Sequence, residues 1–410
     1  MKIGLIDVVE WQTAVDFRTG RAIEADHPLA DPSGRADSTE ASAELSRVLV
    51  AGSGRSLAAK VLRAHPYPGD LTGAGDRWVT DTALDLNARY APDLMLLVYA
   101  NLYFPAVFSP LSEEERAAQI AQTFGQIERF LDKSGFVPVI VGLGDFVPFE
   151  GYVYLTDLDG EVISGGMNPR YAGLNRATAR DLERLTRREG IARIVEREGF
   201  RAQFGGCQRF YDRFPDYLVV AEEGRVFRGP SSSARPLYRV SRYDQALPLH
   251  TALGTAEAIT DVAGLTLQAL ERGRVALILV EGVGCESFPL PFQPISNTLH
   301  WHTYSVGDSQ YLALTTGKHF VEHPYPPGYR YYVDDGEDKA YPFSAVFTEM
   351  PPETIGARFA GKSAAVGGRG ILTHAVAGAD ITIECFVRAL YNHGVMAVLD
   401  ILSLEEKEKC

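Results

Sequence analysis

Residues 275–284, Val-Ala-Leu-Ile-Leu-Val-Glu-Gly-Val-Gly, constrain the fold more than any other stretch of this chain. The unbroken apolar run from Val275 to Val280 has no polar residue at alternate positions, which suits a strand covered on both faces at the centre of a parallel sheet. The run stops at Glu281, and functional groups of open α/β sheets gather at the C-terminal edge of such strands. Gly282 and Gly284 permit a sharp turn and the close approach of a ligand or metal. Glu281 is therefore a functional acid or a carboxylate that solvates a strand end, and the motif alone supports both.

Apolar runs at 3–8, 47–51, 94–100, 137–143, 217–221 and 395–402 predict further strands. Ser112 followed by Glu115 is a capping-box pattern, and Ile120, Phe124, Ile127, Phe130 and Leu131 form one stripe, so a helix is predicted over 112–133. A second helix is predicted over 255–272, with Ile259, Val262, Leu265 and Leu270 facing inward, just before the 275–280 run. The alternation predicts an α/β fold, a mainly parallel sheet sandwiched between helices. It divides the chain into a first half of the α/β core (1–150), a small α+β subdomain with linker (151–250) and a second half of the core (251–410). Segments 18–45 and 224–250 read as surface loops or linker, and 285–350, dense in Pro, Tyr and His, as an ordered loop that carries function.

With 410 residues and 46% hydrophobic content, the chain has ample material for a core. A net charge of −13 and a pI near 5.2 exclude general binding to nucleic acid or anionic membranes. Basic residues from Arg180 to Arg193 are interleaved with acids and read as a solvated helix face. No apolar run approaches the roughly 20 residues of a membrane span, and Met1–Asp7 reads as a strand rather than a signal peptide, so the expected compartment is the cytoplasm. Cys207, Cys285, Cys385 and Cys410 form no CxxC pair and suggest neither a zinc ribbon nor a disulfide framework. The expected partner is a small molecule, a phosphorylated ligand among the options, and homo-oligomerisation stays open.

Several local clusters carry chemistry. His300 and His302, at i and i+2 of an extended segment, would share a face, and His319 and His323 could join them around a metal if the intervening loop folds back. The same segment contains Trp301, Tyr304, Phe320, Tyr325 and Tyr329, so a packed or ligand-contacting aromatic loop is the other reading. Gly52-Ser53-Gly54-Arg55-Ser56 and Gly367-Gly368-Arg369-Gly370 are anion-binding turns or plain turns. Cys285 and Ser309 are nucleophile candidates for an unrelated α/β enzyme. Tyr99, Tyr103 and Phe104 read as core or pocket wall.

The order of landmarks resembles the alkaline phosphatase superfamily, in its type I phosphodiesterase/nucleotide pyrophosphatase form. Val280-Glu281-Gly282-Val283-Gly284 looks like the family's opening Asp-Gly-Leu-Gly strand, and Tyr311 to His319 like the Ser-Leu-X-Thr-Gly segment after its nucleophile. Thr354 to Val366 looks like the helix, turn and strand that come next. Upstream, Pro92 to Tyr99 is similar to the strand before the second metal-binding loop. Gly142-Leu143-Gly144-Asp145-Phe146 resembles the approach to the Ser-Asp-His-Gly motif, and Arg213 to Val220 the end of the small subdomain. The halves stand in reversed order relative to the family, as a circular permutation would give.

That resemblance implies phosphoester cleavage by two divalent ions, zinc or similar, held by Asp and His, with a Ser or Thr nucleophile. Carried over by position, Glu281 takes the first metal Asp and Asp145 the aspartate of Ser-Asp-His-Gly, but Phe146 stands where a histidine would be. Asn101 to Phe108 contains neither the expected Asp nor His. The nucleophile position falls near Val306 or Gly307, leaving Thr303, Ser305 or Ser309. Two functions follow: a metal-dependent phosphoester hydrolase with a site rearranged around Glu281, Asp145 and the histidine loop, or a catalytically inactive relative serving as a small-ligand or protein-binding module.

Overall fold

The computed structural model describes residues 3–9, 15–16, 64–65, 68, 73–164, 169–228, 236–322, 381–386 and 396–400. The predicted strand 47–51, the glycine clusters at 52–56 and 367–370, the segment 354–366 and His323 lie outside them.

The central sheet contains β1 (Ile3–Val9), β2 (Leu94–Tyr99), β3 (Val137–Gly142), β4 (Ala246–Thr251), β5 (Val275–Val280), β6 (Gln293–Ser296), β7 (Ile381–Phe386) and β8 (Met396–Asp400). Their order is β6-β4-β3-β5-β2-β1-β7-β8. From β3 to β7 the neighbours are parallel, while β4, β6 and β8 close the two sides antiparallel. The apolar run is the hub: Val275 aligns with Leu94 and Val137, Val280 with Tyr99 and Gly142, and every residue of β5 is buried.

Four helices have contacts that bear on the site: α1 (Ala74–Tyr90), α2 (Glu113–Ser134), α3 (Asp261–Leu270) and α4 (Asp308–Thr316). Helices α1 and α2 pack together, as do α3 and α4. In α2 the Ser112 hydroxyl accepts from Glu115 N–H and the Glu115 carboxylate accepts from Ser112 N–H, completing the capping box. Gly135, at φ 73°, ends it in the left-handed conformation. The buried side carries Ile120, Phe124, Ile127 and Phe130.

Helix α3 is shorter than the predicted 255–272. The Asp261 carboxylate accepts from the N–H groups of Glu257 and Ala258, each at 2.9 Å, and Ile259 N–H donates to Ser296 O, so 255–260 is a turn tied to the sheet edge. Segment 224–250 is also more regular than a loop, with strands Arg225–Arg228, Arg239–Ser241 and β4. A second sheet, antiparallel throughout, runs in the order Val15–Asp16, Glu161–Ser164, Tyr171–Asn175, Tyr217–Ala221, Ile191–Glu196.

Candidate functional site at the strand edge

Beyond β3 and β5 the two chain segments stay zipped together. Leu143 N–H donates to Val280 O at 2.9 Å and Gly144 N–H to Val283 O at 3.1 Å. Glycine is required here by space: a Cβ on Gly142 would meet the Val283 carbonyl, and one on Gly284 would run into the Asp145 carboxylate. The turn that looked suited to a ligand is thus occupied by the neighbouring strand end.

Asp145 is 3% exposed and has protein partners on both oxygens. Oδ1 accepts from Arg116 Nη2 at 2.9 Å and from Ser287 Oγ at 2.5 Å, and Oδ2 accepts from Glu286 N–H at 3.2 Å. Asp145 N–H donates to Asp244 Oδ2 at 2.6 Å. Burial raises the Asp244 carboxyl to about 6, the hydrogen bond from Asp145 N–H opposes this, and the Asp145 charge adds to it. Arg242 bonds Glu286 at 2.5 Å and stands 3.8 Å from Asp244, so this edge is an alternating cluster of carboxylates and guanidiniums. Phe146, next in sequence, is buried and tilted against Tyr103 with ring centres 5.6 Å apart.

Glu281 is also buried, and the Tyr311 hydroxyl on α4 donates to its Oε1. On the same helix Gln310 is fully enclosed; its amide donates to Leu143 O at 3.0 Å and Asn297 Oδ1 at 3.2 Å. Helix α4 is therefore pinned across the ends of β3 and β5. Ser309 stands in its first turn and Ser305, half-buried, precedes it. Thr303 is buried, with its backbone N–H and C=O both bonded to the Tyr171 hydroxyl at 3.3 and 3.0 Å.

The histidine segment is a hairpin, not the extended stretch expected. Thr298 pairs with Thr303 and Leu299 with His302, leaving His300 and Trp301 as the turn, with His300 at φ 51°. His300 is exposed against Phe204, whereas His302 is buried, stacked on Tyr171 at 4.6 Å and tilted against Phe320 at 4.2 Å. Burial, then the charges of Arg170 and His319, push the His302 imidazole down to about 3. His319 Nδ1 bonds the Tyr304 hydroxyl at 2.8 Å, and burial also lowers its affinity for a proton. The chain reverses between His300 and His302, so the two residues do not share a strand face. Among the described residues, no group of three or more His, Cys, Asp or Glu side chains converges as a metal site.

Cys285 is half-buried with Sγ 3.6 Å from Ala246 O, and burial followed by the charges of Asp244, Asp145 and Glu286 raises its thiol. That environment opposes the thiolate a nucleophile needs. Asn101 to Phe108 forms a short helix, Tyr103–Phe108, with Tyr103, Phe104, Ala106 and Val107 in the core.

Other groups at this edge were not visible in the sequence. Asp76, in the first turn of α1, is buried and accepts from Thr123 Oγ1 at 2.5 Å; burial raises its carboxyl to about 6, and bonds from Thr123 and the Asn101 backbone oppose the rise. Arg116 reads as one charge on an exposed helix face, and Arg170 and Asp244 lie in segments without a motif. None has a local sequence signal.

No protein-family model matches the chain, and no curated protein matches it. Among solved structures, phosphonoacetate hydrolase from Sinorhizobium meliloti 1021 in complex with phosphonoformate is similar over 45% of this chain and 51% of that chain, at 18% identity and a TM-score of 0.36. The same enzyme in complex with phosphonoacetate is similar over the same shares, at 17% identity and a TM-score of 0.34. The chain spans about half the length of the solved structures it matches.

Proposed function

We propose that this protein is a non-catalytic, alkaline-phosphatase-like binding module whose strand edge is locked by protein ion pairs, and that it binds a small phosphorylated ligand without turning it over. The observation that carries this reading is the Arg116 guanidinium, 2.9 Å from Asp145 Oδ1. A cation from the chain itself stands on the carboxylate that the resemblance assigns to a metal, and Ser287 and Glu286 N–H take up two further acceptor sites.

The described donor set does not fit a pair of divalent ions. Zinc needs several imidazole and carboxylate donors with free lone pairs aimed at one point. Here Asp145 is bonded on both oxygens, Glu281 accepts from Tyr311, His300 and His302 are separated by a hairpin turn, and Phe146 fills its own position with a packed ring. The permuted order of halves belongs to the same proposal. Its support is that β5, later in sequence than β2 and β3, lies between them, where a displaced first strand would insert.

The test is hydrolysis of a generic phosphomonoester and phosphodiester by protein supplied with zinc or manganese, beside calorimetry of phosphate binding. Binding without turnover is the expected outcome. Metal-dependent turnover that disappears in Asp145→Asn would restore the hydrolase reading.

A further inference from the structure

Arg170 lies where the second sheet meets the histidine hairpin, just before the strand Tyr171–Asn175. Its guanidinium carbon is 3.0 Å from the centre of the Tyr243 ring and 5.1 Å from that of Tyr171. Its Nε is buried with no hydrogen-bond partner, and no carboxylate among the described residues forms an ion pair with the guanidinium. The carboxylate whose charge reaches it, Glu223, accepts from Tyr243 N–H at 3.0 Å instead. Burial alone is enough to weaken the hold of Arg170 on its proton.

A second orphan stands beside it. His302 is 3% exposed, its Nδ1 has no partner, and its ring stacks on the Tyr171 ring that Arg170 also faces, with 12° between the His302 and Tyr171 planes. Two buried nitrogen atoms from different elements, Arg170 Nε and His302 Nδ1, thus lack a partner in one neighbourhood. A buried Nε–H without an acceptor and a buried ring nitrogen without a bond are both costly, and natural structures tolerate few of either. The tyrosine rings hold the guanidinium in place, so its planar fork needs no ordering to meet a ligand.

We propose that Arg170, with His302 beside it, is the receptor for the phosphoryl group of a small molecule. The reading deepens the binding function above and rests on it for the ligand class. It places recognition beside the locked edge rather than within it: the Tyr243 ring faces Arg170, and Tyr243 is the sequence neighbour of Asp244, whose Oδ2 accepts from Asp145 N–H. A phosphoryl oxygen would accept from Nε and the neighbouring fork nitrogens in the bidentate geometry guanidinium favours.

The experiment is calorimetric titration of the full chain with inorganic phosphate, on the wild type, Arg170→Met and Arg170→Lys, with ligand-free melting of each. We expect phosphate to bind the wild type, at least about tenfold weaker binding in Arg170→Met, and an intermediate affinity in Arg170→Lys, which keeps the charge and loses the fork. Ligand-free Arg170→Met should melt only slightly below the wild type, because it gives up the ring contacts with Tyr243 and Tyr171 but strands no carboxylate partner. Equal phosphate affinity in wild type and Arg170→Met would overturn the assignment, as would a wild type that binds acetate more tightly than phosphate. A large drop in ligand-free melting for both variants would make Arg170 structural and overturn it too. Phosphoester turnover by the wild type would overturn the non-catalytic reading while leaving phosphate capture at Arg170 to stand or fall on these titrations.

Discussion

Replacing Arg116 with methionine tests the locked edge directly. The Arg116 side chain is 14% exposed and that of Asp145 4%, so the pair is largely out of water. Removing one member of a buried pair costs roughly 3–5 kcal/mol, because the partner is left charged and unpaired. Asp145 keeps Ser287 Oγ and Glu286 N–H, which places the expected cost at the lower end, about 2–4 kcal/mol. Unfolding entropy of roughly 2.1 cal/mol/K per residue, over the roughly 260 described residues, gives about 0.55 kcal/mol/K and hence a melting drop of about 4–7 °C. The assay is thermal melting of Arg116→Met, Asp145→Asn and the double variant, each with and without zinc. The double variant should recover most of the loss, since it removes the stranded charge along with its partner. An Arg116→Met protein that melts with the wild type would refute the reasoning. So would stoichiometric zinc uptake by the wild type that Asp145→Asn abolishes, because the carboxylate would then face a metal and not Arg116.

Gly284→Ala should destabilise by about 2–4 kcal/mol or prevent folding, since its methyl would overlap the Asp145 carboxylate, whereas Gly125→Ala, in open space on α2, should stabilise by roughly 0.5–1 kcal/mol; chemical denaturation of both separates the cases. Ser112→Ala should cost about 1 kcal/mol through the lost cap, read in the same experiment. Burial raises the carboxyls of Asp76 and Asp244 to about 6, so between about pH 4 and 6 the folded chain holds protons that the unfolded chain has released. Their contribution is full below about pH 4 and lost as the pH rises through 6, so Asp76→Asn should flatten the fall in melting temperature over that window and melt above the wild type at pH 7; an unchanged slope would contradict the assignment.

The parts of this molecule that were legible in its sequence are those whose cause is local. Helix α2 carries its start in Ser112 and Glu115 and its buried side in a 3.6-residue stripe, so prediction and structure differ by one residue at each end. Strand β5 is legible because a fully buried strand needs no alternation. The N-terminal boundary of α3 was lost to a competition that no pattern records, the capture of two N–H groups by the Asp261 side chain. The hairpin at 298–303 was lost because its turn residues are His300 and Trp301, without the Asn-Gly or Gly signal that usually announces a two-residue turn. Its consequence is larger than a missed turn, since the reversal moves His300 to solvent and His302 into the core.

The strand edge failed for a different reason, and the failure is informative. Glu281 and Asp145 were found from their place after apolar strands, but what each one does depends on Tyr311, Arg116, Ser287 and Glu286, which arrive from distant parts of the chain. Phe146 places its ring against Tyr103, and a Cβ at Gly282 would strike that ring. Glycine at 282 is thus required twice, by its φ of 75° and by the Phe146 ring beside it. Contacts of this kind make the edge a packed and ion-paired junction with its own physical logic, and placing histidine at 146 would open a cavity beside Tyr103.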